Sequence, residues 1–478
     1  METRESRRKA REQRQLAYLL KQKERPKRKY YLWYLFFMLL LVYIIDEIVT
    51  NLPTNLLPEI ATSLNGGDTS VFYTMSAVAI AMMVISVFYK PLADKWGRKP
   101  FLVINTLGMA LALFVCLSAR SNSVWLYFIG FFLLRFFVTP DEQVVYIFEC
   151  SPQDKRATVY SIIKGISEFG LVLIPLLRHW IMGGEIFGTG TIAESNIENW
   201  RYVFLIPAII AAVIAFIALL LARETDTFLD ERIAYLQKSD EERAEEKKEK
   251  SKAQGGLINA LKVIFTNKQL FFIVLVTFIY ILGRFLTESY ADIITQYLQG
   301  TGLTEGQAST KLTEILFYFP LSCAVLTLAY GFLSDKIGRK ITTVILLAIT
   351  AAAYGGFACG LINGWPAWSL GLFIGLFLGA FWSTGDTVIM MAGESSPTNL
   401  RASIMSAQSA FYGIGMGLSL VIGGVLTKMV PDAGRIVWIL MIFAIPVYVI
   451  ASIIMMIFVK ETKGVDPDNA FVENEKKQ

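Results

Sequence analysis

Twelve long apolar runs separated by short polar loops dominate the pattern of the chain. They lie near 30–52, 71–89, 101–119, 124–148, 158–182 and 201–222, then near 270–297, 312–334, 341–362, 366–392, 402–427 and 435–459. Each is long enough to cross roughly 30 Å of hydrocarbon at about 1.5 Å per helical residue. The pattern predicts an all-α integral membrane protein of twelve transmembrane helices. No cleavable signal peptide is expected, because the first apolar run is a full span behind a long basic start.

Charge assigns sides to the loops. Residues 1–29 form a basic tail (Arg7, Arg8, Lys9, Lys27, Arg28, Lys29). Such a tail could bind nucleic acid, but beside a span it more often fixes orientation and touches anionic lipid. Lys95, Arg98, Lys99, Lys155, Arg156, Lys336, Arg339, Lys340 and Arg401 fall on the alternate loops that share its side. Positive loops face the cytoplasm, so both termini are expected there, in a plasma-membrane protein. Residues 223–269 form a charged linker with acid and base at i, i+4 spacing, which predicts partial helix.

The two sides of that linker repeat each other. Lys90-Pro91-Leu92-Ala93-Asp94-Lys95-Trp96-Gly97-Arg98-Lys99 returns in register as Gly331-Phe332-Leu333-Ser334-Asp335-Lys336-Ile337-Gly338-Arg339-Lys340. Glu149 and Arg156 are echoed by Glu394 and Arg401, Glu47 by Glu288, and Glu224-Thr225 by Glu461-Thr462. The expected plan is a six-helix half at 30–222, the linker, a second six-helix half at 270–460 and a tail at 461–478. Two halves related by repetition form the parallel-repeat plan of one large transporter class.

On these motifs the chain resembles the major facilitator superfamily outside its tails and linker. The loop Gly331–Lys340 fits that family's G-x-L-x-D-x-x-G-R-K pattern at every fixed position, while the first copy carries Lys90 in place of glycine. The cytoplasmic motifs look most like those of the sugar-porter and proton-linked metabolite group: Glu149 with Arg156, Glu394 with Arg401, Arg223-Glu224-Thr225 and Glu461-Thr462-Lys463-Gly464. Asp46, followed by Val49, resembles that group's proton-coupling acid. Span 7 lacks the sugar porters' glutamine-rich signature, and Ile129 stands where their span-4 arginine would be. The resemblance implies a cytoplasmic gate built from Asp94, Gly97, Arg98, Glu149, Arg156, Glu224, Asp335, Gly338, Arg339, Glu394, Arg401 and Glu461, paired between helices so as to hold the inner face shut.

Composition narrows the chemistry. Hydrophobic residues make up 54% and charged residues 18% of the chain, against about a quarter charged in a soluble protein. An ionisable group within a span costs about 2.5–3.5 kcal/mol even on a lenient scale. The spans nevertheless carry Asp46, Glu47, Arg135, Asp141, Glu142, Lys164, Glu168, Arg284, Glu288, Asp292 and Asp386. Arg284, Glu288 and Asp292 are spaced to form one stripe on span 7, and Lys164 and Glu168 another on span 5. Arg135, Glu142 and Glu149 share a face of span 4 unless Pro140 kinks it. Asp46 and Glu47 lie about 100° apart and face differently.

These stripes are expected to line a central cavity for a small polar or charged organic solute and for protons. The acid excess suits a cationic or zwitterionic solute, whose carboxylate the bases could hold. The aromatic residues Trp33, Tyr34, Trp382 and Tyr412 either stack on a ligand or sit at interfaces and in packing, and packing is expected for most of them.

One histidine and four unpaired-looking cysteines give no metal or nucleophilic site. No cofactor, metal, nucleic acid or enzymatic reaction is expected. The function read from the chain is secondary active transport by alternating access, as a proton-coupled symporter and a monomer, embedded in the lipid bilayer. A proton/solute antiporter and a non-transporting sensor are the alternatives.

Overall fold

The computed structural model describes residues 4–26, 30–89, 91–151, 156–184, 186, 190–243, 245, 256–396, 400–430 and 432–463. Every regular element among them is helical. Spans 1 to 3 are Tyr31–Asn55, Ser70–Tyr89 and Arg98–Leu117. Span 4 is Val124–Val138 continued by Glu142–Cys150, span 5 runs from Arg156–Phe169 into Leu173–Met182, and span 6 is Trp200–Leu221. Span 7 joins Lys268–Leu282 to Phe285–Gly300. Spans 8 to 12 are Glu305–Ile337, Arg339–Ile362, Ala367–Glu394, Arg401–Met429 and Ala433–Phe458. Among the described residues eleven stretches are long and apolar enough to cross a membrane; in span 2 the described apolar part is Ser70–Met82.

Local sequence sets several of the helix starts. The Asn267 side chain accepts from Leu270 N–H at the head of span 7, and Asp432 does the same for Gly434 and Arg435 at span 12. Thr304 and Gln307 form a reciprocal capping box at span 8. These side chains satisfy backbone donors that have no partner within the helix.

The two halves pack by one scheme. Span 3 lies against spans 4 and 6, and span 9 against spans 10 and 12; spans 2 and 4 pair as do spans 8 and 10. Close approach at the last pair depends on missing side chains, since a Cβ on Gly371 or Gly375 would sit 2.4 or 2.1 Å from the carbonyl oxygen of Ile315 or Phe319. The halves meet where span 2 packs on span 11 and span 5 on span 8. The end of the bundle that carries the basic loops is called the basic-loop end below.

Two spans are broken. In span 4 the break is at Thr139–Pro140–Asp141, where Asp141 adopts φ 52, a left-handed conformation uncommon outside glycine. The expected common face of Arg135, Glu142 and Glu149 is thereby split, as the proline condition allowed. Span 7 breaks at Gly283–Arg284. The backbone oxygens of Leu282 and Gly283 accept from Ser419 (2.8 Å) and Tyr354 (3.0 Å) hydroxyls on spans 11 and 9. Irregular backbone at membrane depth is stable only with such replacement partners.

At the basic-loop end the tail is more than a basic anchor. Arg4–Glu24 is a helix whose Leu16 and Leu19 pack on Phe228, Leu229, Ile233 and Leu236 of the linker helix Asp226–Gln237. Arg223 donates to its backbone oxygens at Gln22, Arg25 and Pro26. A second linker helix covers Gly256–Thr266.

Candidate functional site

The repeated loops form two matching clusters, each inside its own half. In the first, the Glu224 carboxylate accepts the backbone N–H groups of Arg98 (2.9 Å) and Lys99 (3.3 Å) at the start of span 3. The Arg98 side chain pairs with Glu149 at 3.1 Å, and the Thr225 hydroxyl also donates to Glu149. In the second, Glu461 accepts from Arg339 (2.8 Å) and Lys340 (3.1 Å), Arg339 pairs with Glu394 (3.4 Å), and Thr462 donates to Glu394. A carboxylate at a helix start meets free N–H groups and the positive end of the dipole.

Gly97 and Gly338, at φ 118 and 97, explain the glycines. A Cβ there would lie 2.4 Å from the Glu224 carboxylate and 2.3 Å from that of Glu461. Asp335 bonds Arg339 at 2.7 Å and leaves the helix start to Glu461. The side chains of Asp94 and Arg156 lie outside the described residues. Arg401 is half-buried and makes no ion pair among the described residues.

Environment separates the twin carboxyls. Burial pushes Glu224 up to about 7, against the opposing backbone donors of Lys99 and Arg98. Glu461 is more exposed; burial raises it, but four backbone donors, of Lys463, Arg339, Lys340 and Thr462, outweigh that and hold it below its ordinary value. Among the described residues these ion pairs link helices of one half to each other.

The contacts that join the halves lie deeper, in three layers. Nearest the basic-loop end, Lys164 of span 5 pairs with Asp386 of span 10 at 2.5 Å, and the Tyr330 hydroxyl donates to the same carboxylate at 3.0 Å. Lys164 also lies 5.8 Å from the Tyr160 ring centre. Glu168, one turn on, accepts from the Cys323 thiol at 3.5 Å.

In the middle layer, Glu288 of span 7 is held by Arg284 of its own helix and by Arg135 of span 4 at 3.3 Å, with the Thr54 hydroxyl also at 3.3 Å. Arg284 lies over the Trp382 ring at 4.6 Å and donates to the Tyr412 hydroxyl at 2.9 Å. Among the described residues its Nε has no hydrogen-bond partner, although the residue is only 2% exposed. Beside Arg135 is a pocket walled by Phe72, Tyr73, Tyr127, Phe128 and Phe131.

The third layer is toward the opposite end. Asp292 accepts from Tyr73 (2.6 Å) and Thr69 (3.0 Å) of the other half and from Gln296 (2.9 Å). Arg178, fully buried, binds Glu59 at 2.5 Å, Thr313 and Ser309 hydroxyls at 3.0 Å each, and the Asn55 backbone oxygen at 3.0 Å. Ser309 donates to Glu59 at 2.6 Å. Two elements of the first half are thus tied to span 8 of the second by charge-assisted bonds, which are stronger than neutral ones.

Of the expected cavity acids, Asp46 is bonded by Gln143 at 3.3 Å and faces Asp141 across spans 1 and 4. Glu47 faces Glu168 and Lys164 instead. Glu142 is buried at the start of the second half of span 4. The expected cavity set therefore divides into an Asp46–Asp141–Gln143 group and the inter-half layers. Sequence reading missed Arg178 and Glu59. A lone basic residue near the end that the positive-inside pattern depletes was the available signal, since such a residue needs a buried acid. Thr54 and Tyr73 gave none, being neutral hydroxyl residues in apolar runs. Trp382 and Tyr412, read as packing or ligand-stacking residues, are partners of Arg284.

The sequence profile of the Major Facilitator Superfamily matches residues 35–318 and 273–477. The "Multidrug resistance protein MdtL" of Salmonella paratyphi B is 29% identical over 139 residues, 26% of this chain and 32% of that protein. The chain thus spans about a third of the length of the curated relatives it matches. The inward-open structure of the xylose transporter XylE from E. coli superposes with a TM-score of 0.66 at 15% identity, over 92% of this chain and 99% of that one. The nucleoside transporter NupG gives 0.60 at 15% identity, over 89% and 99%. These two likenesses show a shared fold. The chain belongs to the Major Facilitator Superfamily, a family of membrane transporters rather than enzymes.

Proposed function

We propose that the chain moves a small polar or charged organic solute together with protons, by alternating access between its two halves. The observation that carries this reading is Glu288, which takes one arginine from each half. A proton or a solute that changes the charge between Arg135 and Arg284 changes what holds the halves together there. A ligand moves a conformational equilibrium only through such differential interaction. Lys164–Asp386 repeats the arrangement nearer the basic-loop end.

In this reading Asp46, Glu168 and Asp292 serve as further proton acceptors, each bonded by a neutral donor, Gln143, Cys323 and Tyr73 respectively. The clusters at Glu149 and Glu394 keep each half rigid while it rocks. The protein acts as a monomer in the plasma membrane, with the basic loops and both tails in the cytoplasm.

The test is a pH dye sealed inside proteoliposomes, followed as solutes are added outside. Symport acidifies the lumen relative to protein-free liposomes. Alkalinisation means antiport, the reading favoured by the MdtL relative. No solute-dependent change with any of a panel of acids, amines, sugars and nucleosides would remove proton coupling.

A further inference from the structure

Charge is balanced one to one at Lys164–Asp386 and at Arg178–Glu59, but at Glu288 two guanidiniums share one carboxylate. Among the described residues the buried Arg284 Nε lacks an acceptor, as the neighbouring Tyr280 hydroxyl lacks a partner. Two planar donors converging from separate helices match the geometry of a carboxylate. Next to them, the pocket wall of Phe72, Tyr127, Phe128 and Phe131 is aromatic, and Arg135 lies 5.1 Å from the Phe131 ring centre. Polar anchors beside an apolar wall are the usual makeup of an organic-ligand site.

We propose that the solute is an organic carboxylate with a flat apolar body, its anion replacing Glu288 between Arg135 and Arg284 and its body lying in the aromatic pocket. The inference rests on the symport reading above and names its cargo. It turns away from the cationic or zwitterionic solute suggested by the acid excess. That excess resides in Asp46, Glu47, Asp141 and Glu168, away from the pocket, while the carboxylate beside the pocket, Glu288, faces two guanidiniums. An amine there would meet two arginines and like-charge repulsion.

The exchange requires a proton. Ionised Glu288 competes with the solute for both arginines. Once it takes a proton from the side to which the site is open, it is neutral and the solute anion can form the two charge-assisted pairs. Both then cross together, the solute leaves, and Glu288 gives up the proton and recovers the arginines. One proton accompanies one monoanion, so the step is electroneutral. The groups that face Glu288 are Arg135 from span 4, Thr54 from span 1, Tyr73 from span 2 and Tyr412 from span 11, with Arg284 and Asp292 one turn to either side on span 7. Only the two arginines among these are cations.

The experiment is thermal unfolding of the full chain in detergent with benzoate, phenylacetate, benzylamine, D-xylose and uridine, at about pH 5.5 and about pH 8. A ligand bound to the folded state raises the unfolding temperature, and proton uptake on binding makes the rise larger at the lower pH. The expected result is a rise with the two carboxylates alone, larger at the lower pH, and lost in Arg135→Gln. Glu288→Gln should bind the carboxylates at both pH values alike. Arg284→Lys, which keeps the charge but not the planar fork, should weaken the rise. A rise with benzylamine, xylose or uridine and not with the carboxylates would overturn the proposal. So would the absence of any carboxylate effect, or an unchanged one in Arg135→Gln. If an uncharged or cationic solute drives proton movement in the liposomes, symport stands and the carboxylate falls.

Discussion

At the scale of the residue, Glu224 and Glu461 show how one motif acquires two behaviours. Both cap a span with the same two backbone bonds, but Glu224 is the more buried and is pushed up to about 7 from an ordinary 4.5. Between those values the folded protein binds the extra proton. The contribution of protonated Glu224 is therefore full below about 4.5 and is lost as pH rises through about 7. At 1.36 kcal/mol per unit this amounts to about 3 kcal/mol at most. Glu224→Gln should flatten the pH dependence of thermal unfolding over that window, and an unchanged slope would count against it.

The glycine beneath Glu461 makes a second case. Gly338→Ala combines a left-handed backbone with a Cβ pressed on the carboxylate, so it should cost about 1–3 kcal/mol. Gly300→Ala, with open space around it, should be near neutral; equal losses in denaturation midpoints would refute the capping argument. The recurrence of Gly97/Gly338 and Glu224/Glu461 was legible in the sequence. Their contact was not, because it links residues more than a hundred positions apart.

Among the elements, the link between span 5 and span 8 is the sharpest. Arg178 and Glu59 are buried together, and removing one leaves the other as an uncompensated charge, which typically costs 3–5 kcal/mol. Arg178→Gln should show a loss of that order in unfolding. Replacing both, as Arg178→Met with Glu59→Met, should recover much of it while weakening the tie to span 8. A cysteine at Thr313, fully buried beside Arg178, should then react with an impermeant thiol reagent faster than in the parent. No gain in labelling would mean that the network does not hold this end closed.

The spans themselves were readable because twenty apolar residues have few other fates. The break in span 4 was readable only as a possibility at Pro140, and that in span 7 not at all, since Gly283 is stabilised by Tyr354 from a distant helix.

For the whole molecule, the repeat explains the matched packing of spans 3, 4 and 6 with spans 9, 10 and 12, and the sequence displayed it openly through its two basic loops. The pairing of charges across the halves was hidden, because Arg135, Lys164 and Arg178 have no twins that would reveal their partners. Each six-helix half carries its own glutamate–arginine cluster, and three polar layers join the two halves.

The central claim is that Glu288 exchanges a proton as the solute passes between the halves. Luminal pH in proteoliposomes, read as solute is added, tests it most directly. Solute-dependent acidification with the parent, abolished in Glu288→Gln while solute exchange across the membrane persists, is the expected result. Equal acidification by Glu288→Gln would contradict it.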